Sequence, residues 1–448
     1  MIVFCITCRG RNQHIRLTLP KNIVDNADFR DCKFVLLDYG SPDDLISYVL
    51  THHMRSILAG RLVLYRFPDQ KGFKMAHAKN MAHRLGILEG GDILVNLDAD
   101  NYTGPGFAKY VAEKFAADPN VFLWANRNQP SEIRYPKGCN GRIAVSKHAF
   151  VNAGGYNEGK YETWGPDDKD FNFRLRRLGY TPAEIPRQFL EVVLHNDKMR
   201  FRDYPHAKNG GSNCDDEIVE GNETIANFGN FGCGTVYRNF DPSPIELRPV
   251  PTRVFGIGMH KTATTSLHHA LKILGYDSAH WKSAHWAKAI WREMNTLGRS
   301  LTLEKSYALC DLPITLLYQK LDRAYPGSKF ILTKRSEDGW IETVRKHWDP
   351  AFNPFRGQWD GDPFTHRIHT ILYGSPDFNA EKMLARYRSH NAAVLEYFKG
   401  RPDDLLVMDM DFGWPNQDDA GAGWWELCSF LGDRIPLGVP YPRAFASY

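Results

Sequence analysis

The sequence predicts two α/β domains joined by a proline-rich segment. With 448 residues, the chain is longer than one hydrophobic core usually supports. Short apolar runs alternate with helix-like stretches, the rhythm of βαβ units and a parallel sheet. Residues 241–252 hold Pro242, Pro244, Pro249 and Pro251 and little regular pattern, so they are expected to link a domain at 1–240 to one at 253–448. No internal repeat is visible, so the halves are expected to be different folds.

In the first half, Val3–Thr7, Lys33–Leu37 and Ile93–Leu97 read as buried strands and Pro105–Ala117 as a helix. The stretch Asn209–Gly234 is rich in Gly and Asn and reads as a long loop. In the second half, a strand is expected from Arg253, then a Gly-containing turn and a helix through Leu274, with a further strand at Lys329–Thr333.

Composition narrows the class. Hydrophobic residues make up 43% and charged residues 24%, an ordinary globular balance. A net charge of +4, with no aromatic–basic recognition motif, argues against a nucleic-acid partner. No apolar run of about 18 residues exists, so no transmembrane segment is expected. Met1–Cys8 has no basic flank or small-residue cleavage site and reads as a strand rather than a signal peptide. The eight cysteines are scattered, and Cys5 and Cys8 form a C-x-x-C with no second pair at zinc spacing. They are expected to be small buried thiols in a cytoplasmic protein.

Asp98-Ala99-Asp100 ends the run Ile93–Leu97. Two carboxylates two residues apart at a strand end can hold a hard divalent cation, which neutralises a diphosphate leaving group. Alone the pattern is weak, since surface turns contain it often. A second acidic cluster, Trp164-Gly165-Pro166-Asp167-Asp168-Lys169-Asp170, precedes an amphipathic stretch through Gly179. Acidic residues there also suit a helix N-terminus, and that reading stays open.

Taken in order, these motifs resemble inverting glycosyltransferases of the GT-A fold, especially the galactosyltransferase-type branch of family 2. The resemblance covers about residues 1 to 205. It also rests on Thr7–Arg11, Asp38-Tyr39-Gly40-Ser41, Ala76-His77-Ala78-Lys79-Asn80 and His195-Asn196-Asp197. It implies a Rossmann-like domain that binds a UDP-sugar through Arg9, Arg11, Asp38, Lys79, Asp98 and Trp164. It implies Mn²⁺ or Mg²⁺ on Asp100 and His195, and Asp168 as the base that deprotonates an acceptor hydroxyl. Asp167 and Asp170 are expected to raise the proton affinity of Asp168. Trp164 with the acidic cluster leans toward galactose or N-acetylgalactosamine as donor sugar.

The second half opens on Arg253-Val254-Phe255 and then Gly256-Ile257-Gly258-Met259-His260-Lys261-Thr262-Ala263-Thr264-Thr265-Ser266. A strand, a Gly-containing turn, a lysine and hydroxyls at a helix start make an anion site. The spacing departs from an ATP-binding P-loop, because no Gly directly precedes Lys261 and Ala263 follows Thr262. No convincing apolar strand ending in a magnesium-binding Asp is visible either.

The motif resembles the 5′-phosphosulfate loop of P-loop-type sulfotransferases that use 3′-phosphoadenylyl sulfate (PAPS). Lys261-Thr262-Ala263-Thr264-Thr265 matches their pattern, with Ser266 following. Arg335 after Lys329–Lys334, and Thr343 eight residues on, match their 3′-phosphate motif, with Thr in place of the commoner Ser. The tail Trp425–Gly432 is similar to a bacterial branch. The resemblance covers about residues 252 to 448 and implies catalysis by Lys261. Where many members have His-x-Pro, this chain has Asp311-Leu312-Pro313. Asp311 is then either the base or the N-cap of a helix beginning near Pro313. His260 and His285 are candidates for the acceptor pocket.

The combined expectation is a bifunctional enzyme acting on a carbohydrate or glycolipid acceptor, its oligomeric state left open. Two other readings remain: one catalytic half beside a binding module, or a P-loop phosphotransferase fused to a glycan-binding domain.

Overall fold

The computed structural model describes all residues except 69, 71, 127–137, 162–164, 194–222, 353–361, 412–422, 434 and 444–448. The chain divides into two α/β units, Met1–Val250 and Pro251–Tyr448.

The first unit is built on a sheet of order β7-β5-β6-β4-β1-β2-β3-β8-β9. Its strands are β1 (Ile2–Cys8), β2 (Cys32–Asp38), β3 (Leu62–Arg66), β4 (Ile93–Asp98), β5 (Val121–Trp124), β6 (Ile143–Ser146), β7 (Thr181–Glu184), β8 (Gly234–Arg238) and β9 (Pro244–Leu247). β1 pairs in parallel with both β2 and β4. Alternate residues of β1 feed opposite cores. Phe4 and Ile6 join the cluster holding Ile15 and Leu19, and Val3 and Cys5 join the one holding Met81 and Leu85. Helices Asn12–Asp25 and Met75–Leu88 thus cover the two faces, as parallel strands require. Cys5 and Cys8 fall in opposite cores and cannot share one metal ion. Burial raises the proton affinity of both thiols.

The predicted strands appear with one residue added at one or both ends, and the predicted helix begins two residues late, at Phe107. Gly106 precedes it with φ +76°, a left-handed conformation that glycine adopts without strain. Residues 241–252, expected as linker, contain β9, which pairs antiparallel with β8. Proline opens β9 at an outer edge, where its missing N–H costs no ladder bond. Of the expected loop Asn209–Gly234, residues 209–222 lie outside the described residues, and Asn227–Gly229 forms a 3₁₀ turn.

The second unit holds a parallel sheet of order β11-β12-β10-β13-β14. These are β10 (Val254–Gly256), β11 (Ser278–His280), β12 (Ala308–Cys310), β13 (Lys329–Lys334) and β14 (Leu405–Asp409). β10 lies between β12 and β13, and helix Thr264–Ile273 follows its loop. β12 is a buried strand leading directly to Asp311, which the sequence analysis did not find; three residues are too short for a periodic signal. Among the described residues, no helix is long and apolar enough to cross a membrane.

Candidate active sites

In the first unit, the strand order reverses at β1, with β2 and β4 on either side of it, and α/β sheets bind ligands beyond the strand ends at such a point. Cys8 is in register with Asp38, and Thr7 with Asp98. Asp38 is buried, and its Oδ1 accepts the Ser41 N–H at 2.7 Å. Burial pushes its carboxyl up to about 6 despite that bond. Arg9 donates through Nη1 to the carbonyls of Tyr39 (3.0 Å) and Gly40, so it braces the turn after Asp38. Arg11 stands at the start of helix Asn12–Asp25.

Asn96 Nδ2 donates to Asp98 Oδ1 at 3.2 Å and to the Gly141 carbonyl at 2.7 Å. A Cβ on Gly141 would lie 2.4 Å from Asp98 Oδ2, so only glycine lets this segment close on the carboxylate. Burial raises the proton affinity of Asp98; Asp168 and Asp100 add to this and Lys79 opposes it. Asp100 Oδ1 accepts from Asn101 Nδ2 at 2.8 Å. Behind them Arg142 is fully buried and donates to Asn101 Oδ1 at 2.9 Å and the Tyr102 carbonyl at 3.0 Å. Burial lowers its guanidinium to about 10, while Asp98, Cys139 and Asp100 oppose the change. Sequence reasoning missed Arg142, which carries no motif of its own.

The hard oxygen donors of Asp98 and Asp100 fit a divalent cation. The described residues gather no group of three His, Cys, Asp or Glu side chains able to hold a metal. The expected partner His195, like Trp164, lies outside the described residues.

Lys79 and Asp168 come together. Lys79 Nζ is 2.7 Å from Asp167 Oδ2 and 2.6 Å from Asp168 Oδ1, and lies 5.0 Å over the Tyr156 ring. The lysine is 2% exposed, so one buried ammonium stands between two carboxyl groups. Burial raises the proton affinity of Asp167, Asp168 adds to it, and Lys79 opposes. Asp170 is paired elsewhere: four residues on, Arg174 Nε donates to its Oδ2 at 2.8 Å. No side chain caps the helix Asp167–Arg177, whose flanking residue is Pro166, although its acidic first turn suits the helix dipole.

In the second unit, the expected donor-site residues follow a parallel strand or lie in the helix after it, Thr343 nearly two turns into helix Glu337–Trp348. Lys261 (φ +70°) and Ala263 (φ +66°) take left-handed conformations that curl the loop before helix Thr264–Ile273. That turn leaves the N–H groups of Thr264, Thr265 and Ser266 at a helix N-terminus, where an anion is favoured. The Thr262 hydroxyl turns inward, 2.7 Å from both Thr333 Oγ1 and the Met259 carbonyl oxygen, so it anchors the loop and leaves donor contacts to other groups. Gly258 permits this: a Cβ there would lie 2.0 Å from Thr333 Oγ1. Burial lowers the proton affinity of Lys261, with Asp311 pulling the other way.

Arg335 Nη1 donates to Thr343 Oγ1 at 2.9 Å, which unites the second expected pair. Arg335 Nε also donates to Asp411 Oδ1 at 2.8 Å, a partner sequence reasoning missed. Burial would raise the Asp411 carboxyl, but hydrogen bonds from Ser336 and Arg335 hold it below the usual range. Trp340 Nε1 donates to the His260 carbonyl at 3.0 Å, and its ring stacks on Tyr387, 4.3 Å away. The Tyr387 hydroxyl meets both Arg335 O and Arg335 N at 2.8 Å.

Asp311 follows β12 with φ +73°. The helix that it stood as an alternative candidate to cap starts at Ile314 without a side-chain cap. Its Oδ2 faces His280 Nε2 at 3.4 Å. His260 Nδ1 pairs with the Tyr373 hydroxyl at 2.9 Å, whereas His285 is exposed.

Residues 253–447, nearly all of the second unit, match the family model described as a sulfotransferase domain. No curated protein matches the chain. Among solved structures, the chain is similar to the mannosyltransferase PcManGT from Pyrobaculum calidifontis, solved with GDP-Man and Mn²⁺, at 20% identity and TM-score 0.36 over 45% of this chain and 59% of that one. It is similar to GalNAc-T7, solved with UDP, GalNAc and Mn²⁺, at 13% identity and TM-score 0.33 over 42% of each chain. A third similarity is to S. aureus TarS, at 11% identity and TM-score 0.35 over 49% of this chain and 42% of that one. The chain thus spans about half the length of the solved relatives it matches.

Proposed function

We propose that the protein is a bifunctional glycan-modifying transferase, with a sugar-transfer site in residues 1–240 and a sulfate-transfer site in 253–448. The observation that carries the reading is the second sheet. Its parallel strands end at His280, Asp311, the Lys261 loop and Arg335, which is the end of an α/β sheet where ligands bind.

In that site PAPS is the donor. Arg335 and Thr343 hold its 3′-phosphate. Lys261 and the helix start at Thr264–Ser266 hold the phosphosulfate and stabilise charge on the leaving oxygen. Asp311 takes the proton of a carbohydrate hydroxyl as the sulfuryl group moves in line.

In the first site the donor is a UDP-sugar, of galactose or N-acetylgalactosamine. Asp38 and Asp98 border the nucleoside. Asp100, with His195, would hold Mn²⁺ or Mg²⁺, whose charge would offset that of the diphosphate. Asp168 draws the acceptor proton, and the acceptor oxygen displaces UDP with inversion. Lys79 keeps Asp167 and Asp168 together and limits the charge they place near the diphosphate. We place the protein in the cytoplasm, with a sugar chain or glycolipid as shared acceptor.

The test offers purified protein a panel of nucleotide-sugars with Mn²⁺, and PAPS in parallel, with pooled saccharides, and follows donor consumption by mass spectrometry. UDP release from one sugar nucleotide and 3′-phosphoadenosine 5′-phosphate (PAP) release from PAPS are expected. Asp168→Asn should abolish only the first and Lys261→Ala only the second. Equal loss of both activities in either folded variant would sink the idea of separate sites.

A further inference from the structure

The reaction just assigned to the second unit needs an atom that takes the acceptor's proton. Asp311 is the candidate, and the two oxygens of its carboxylate differ. The side chain is 6% exposed, and Oδ2 lies 3.4 Å from His280 Nε2. Oδ1 is buried and has no hydrogen-bond partner among the described residues. A buried carboxylate oxygen left without a donor is costly, and such atoms mark places where a ligand group completes the bonding. The backbone adds a second sign. A left-handed φ at a non-glycine residue is strained, and such strain gathers at functional sites.

His280 is brought there by strand pairing. It ends β11 and lies in register with Cys310, the last residue of β12 and the neighbour of Asp311. The same Nε2 is 3.2 Å from Thr264 Oγ1 and 3.4 Å from Thr265 Oγ1, the hydroxyls that open the donor-loop helix. One ring nitrogen therefore faces both the candidate base and the loop that cradles the donor. A bare nitrogen lone pair 3.4 Å from a carboxylate oxygen would repel it, so the form of the ring that attracts Asp311 is the one with a proton on Nε2.

We propose that His280 is a positioning residue whose Nε2–H holds Asp311 Oδ2, so that Asp311 Oδ1 is the atom that receives the acceptor proton. The inference rests on the PAPS-dependent reading of the site. In the step, the acceptor O–H bond breaks and its proton goes to Oδ1. The oxygen electron pair forms the new O–S bond. The S–O bond to the phosphate breaks, and its pair stays on the phosphate oxygen beside Lys261. Lys261 and Tyr373 also feel the Asp311 charge, and the His268 ring lies 5.7 Å from that of His280.

The whole protein tests this through three variants, with sulfate-transfer kinetics and calorimetric PAP binding as paired readouts. His280→Ala should lower kcat by about 100-fold, the range of general-base effects, and leave PAP affinity within about twofold. His280→Gln, whose amide N–H can stand in for Nε2–H, should recover most of the rate. Asp311→Asn should lose at least as much as His280→Ala. If His280→Ala fails to fold, His280→Phe serves in its place, because it fills the space without an N–H. A wild-type rate in His280→Ala, loss of PAP affinity without loss of kcat, or a His280→Gln as slow as His280→Ala would each overturn the role. Failure of the wild-type protein to bind PAP would overturn the donor reading itself, and the role with it.

Discussion

Trp340 and His260 are joined by a single bond, the indole N–H donating 3.0 Å to the His260 carbonyl. Through it, helix Glu337–Trp348, which carries Thr343, is tied to the loop that carries Lys261. Trp340→Phe keeps the stacking on Tyr387 and leaves that carbonyl unsatisfied, a loss of about 1–3 kcal/mol. PAP, which carries phosphates at both ends, should bind about tenfold more weakly, with AMP binding nearly unchanged. Equal weakening of both nucleotides in titration calorimetry would mean that the bond only shapes the Lys261 loop.

Gly258→Ala should remove sulfate transfer and spare sugar transfer. The added methyl would collide with the Thr333 hydroxyl that anchors Thr262. Separate donor-consumption assays on one preparation read both activities, and full sulfate transfer would show that the loop can shift to admit a side chain.

Removing Lys79 should be costly. Lys79→Met leaves Asp167 and Asp168 side by side without their ammonium, and breaking a buried ion pair costs about 3–5 kcal/mol. Urea unfolding should show a loss of that order, together with loss of sugar transfer. A change below about 1 kcal/mol would mean that water already screens the triad.

Asp38 gives a pH signature. Its carboxyl is raised to about 6 in the fold, from an ordinary 3.8. The folded state therefore holds the proton more tightly than the unfolded chain, and ionisation works against folding. The penalty is complete above about pH 6, on the order of 3 kcal/mol, and vanishes below the unfolded value. Asp38→Asn keeps an acceptor for the Ser41 N–H, so it should melt higher than the wild type near pH 8, with the gap closing as pH falls toward about 4. UDP binding should weaken in the same variant. A melting gap that does not change with pH would show that Asp38 is better solvated than its burial implies.

Much of the frame was legible because buried parallel strands are continuous apolar runs, as Ile2–Cys8, Cys32–Asp38 and Lys329–Lys334 are. Motifs next to such runs were also readable: Asp98 ends a strand, Lys261 and Arg335 stand in the loops that follow one, and Thr343 lies in the helix after Arg335. Less legible were groups whose meaning depends on distant partners. Asp411 meets Arg335 across 76 positions, Arg142 meets Asn101 across 41, and His280 meets Asp311 from a three-residue strand. The spacing that placed Asp170 beside Asp168 could not show that Arg174, one helical turn on, would claim it.

The pairing of β9 with β8 decides where the polypeptide can be divided. Arg84 reaches forward to the Arg248 carbonyl, and the Val250 N–H to that of Gly229, so the chain is still laced into the first unit beyond its prolines. Truncation after residue 240 would strip an edge strand and bare the unpaired backbone of β8, an invitation to aggregation. Cutting between Val250 and Pro251 removes no strand from either sheet, and that is the seam at which the two halves should be separated for expression.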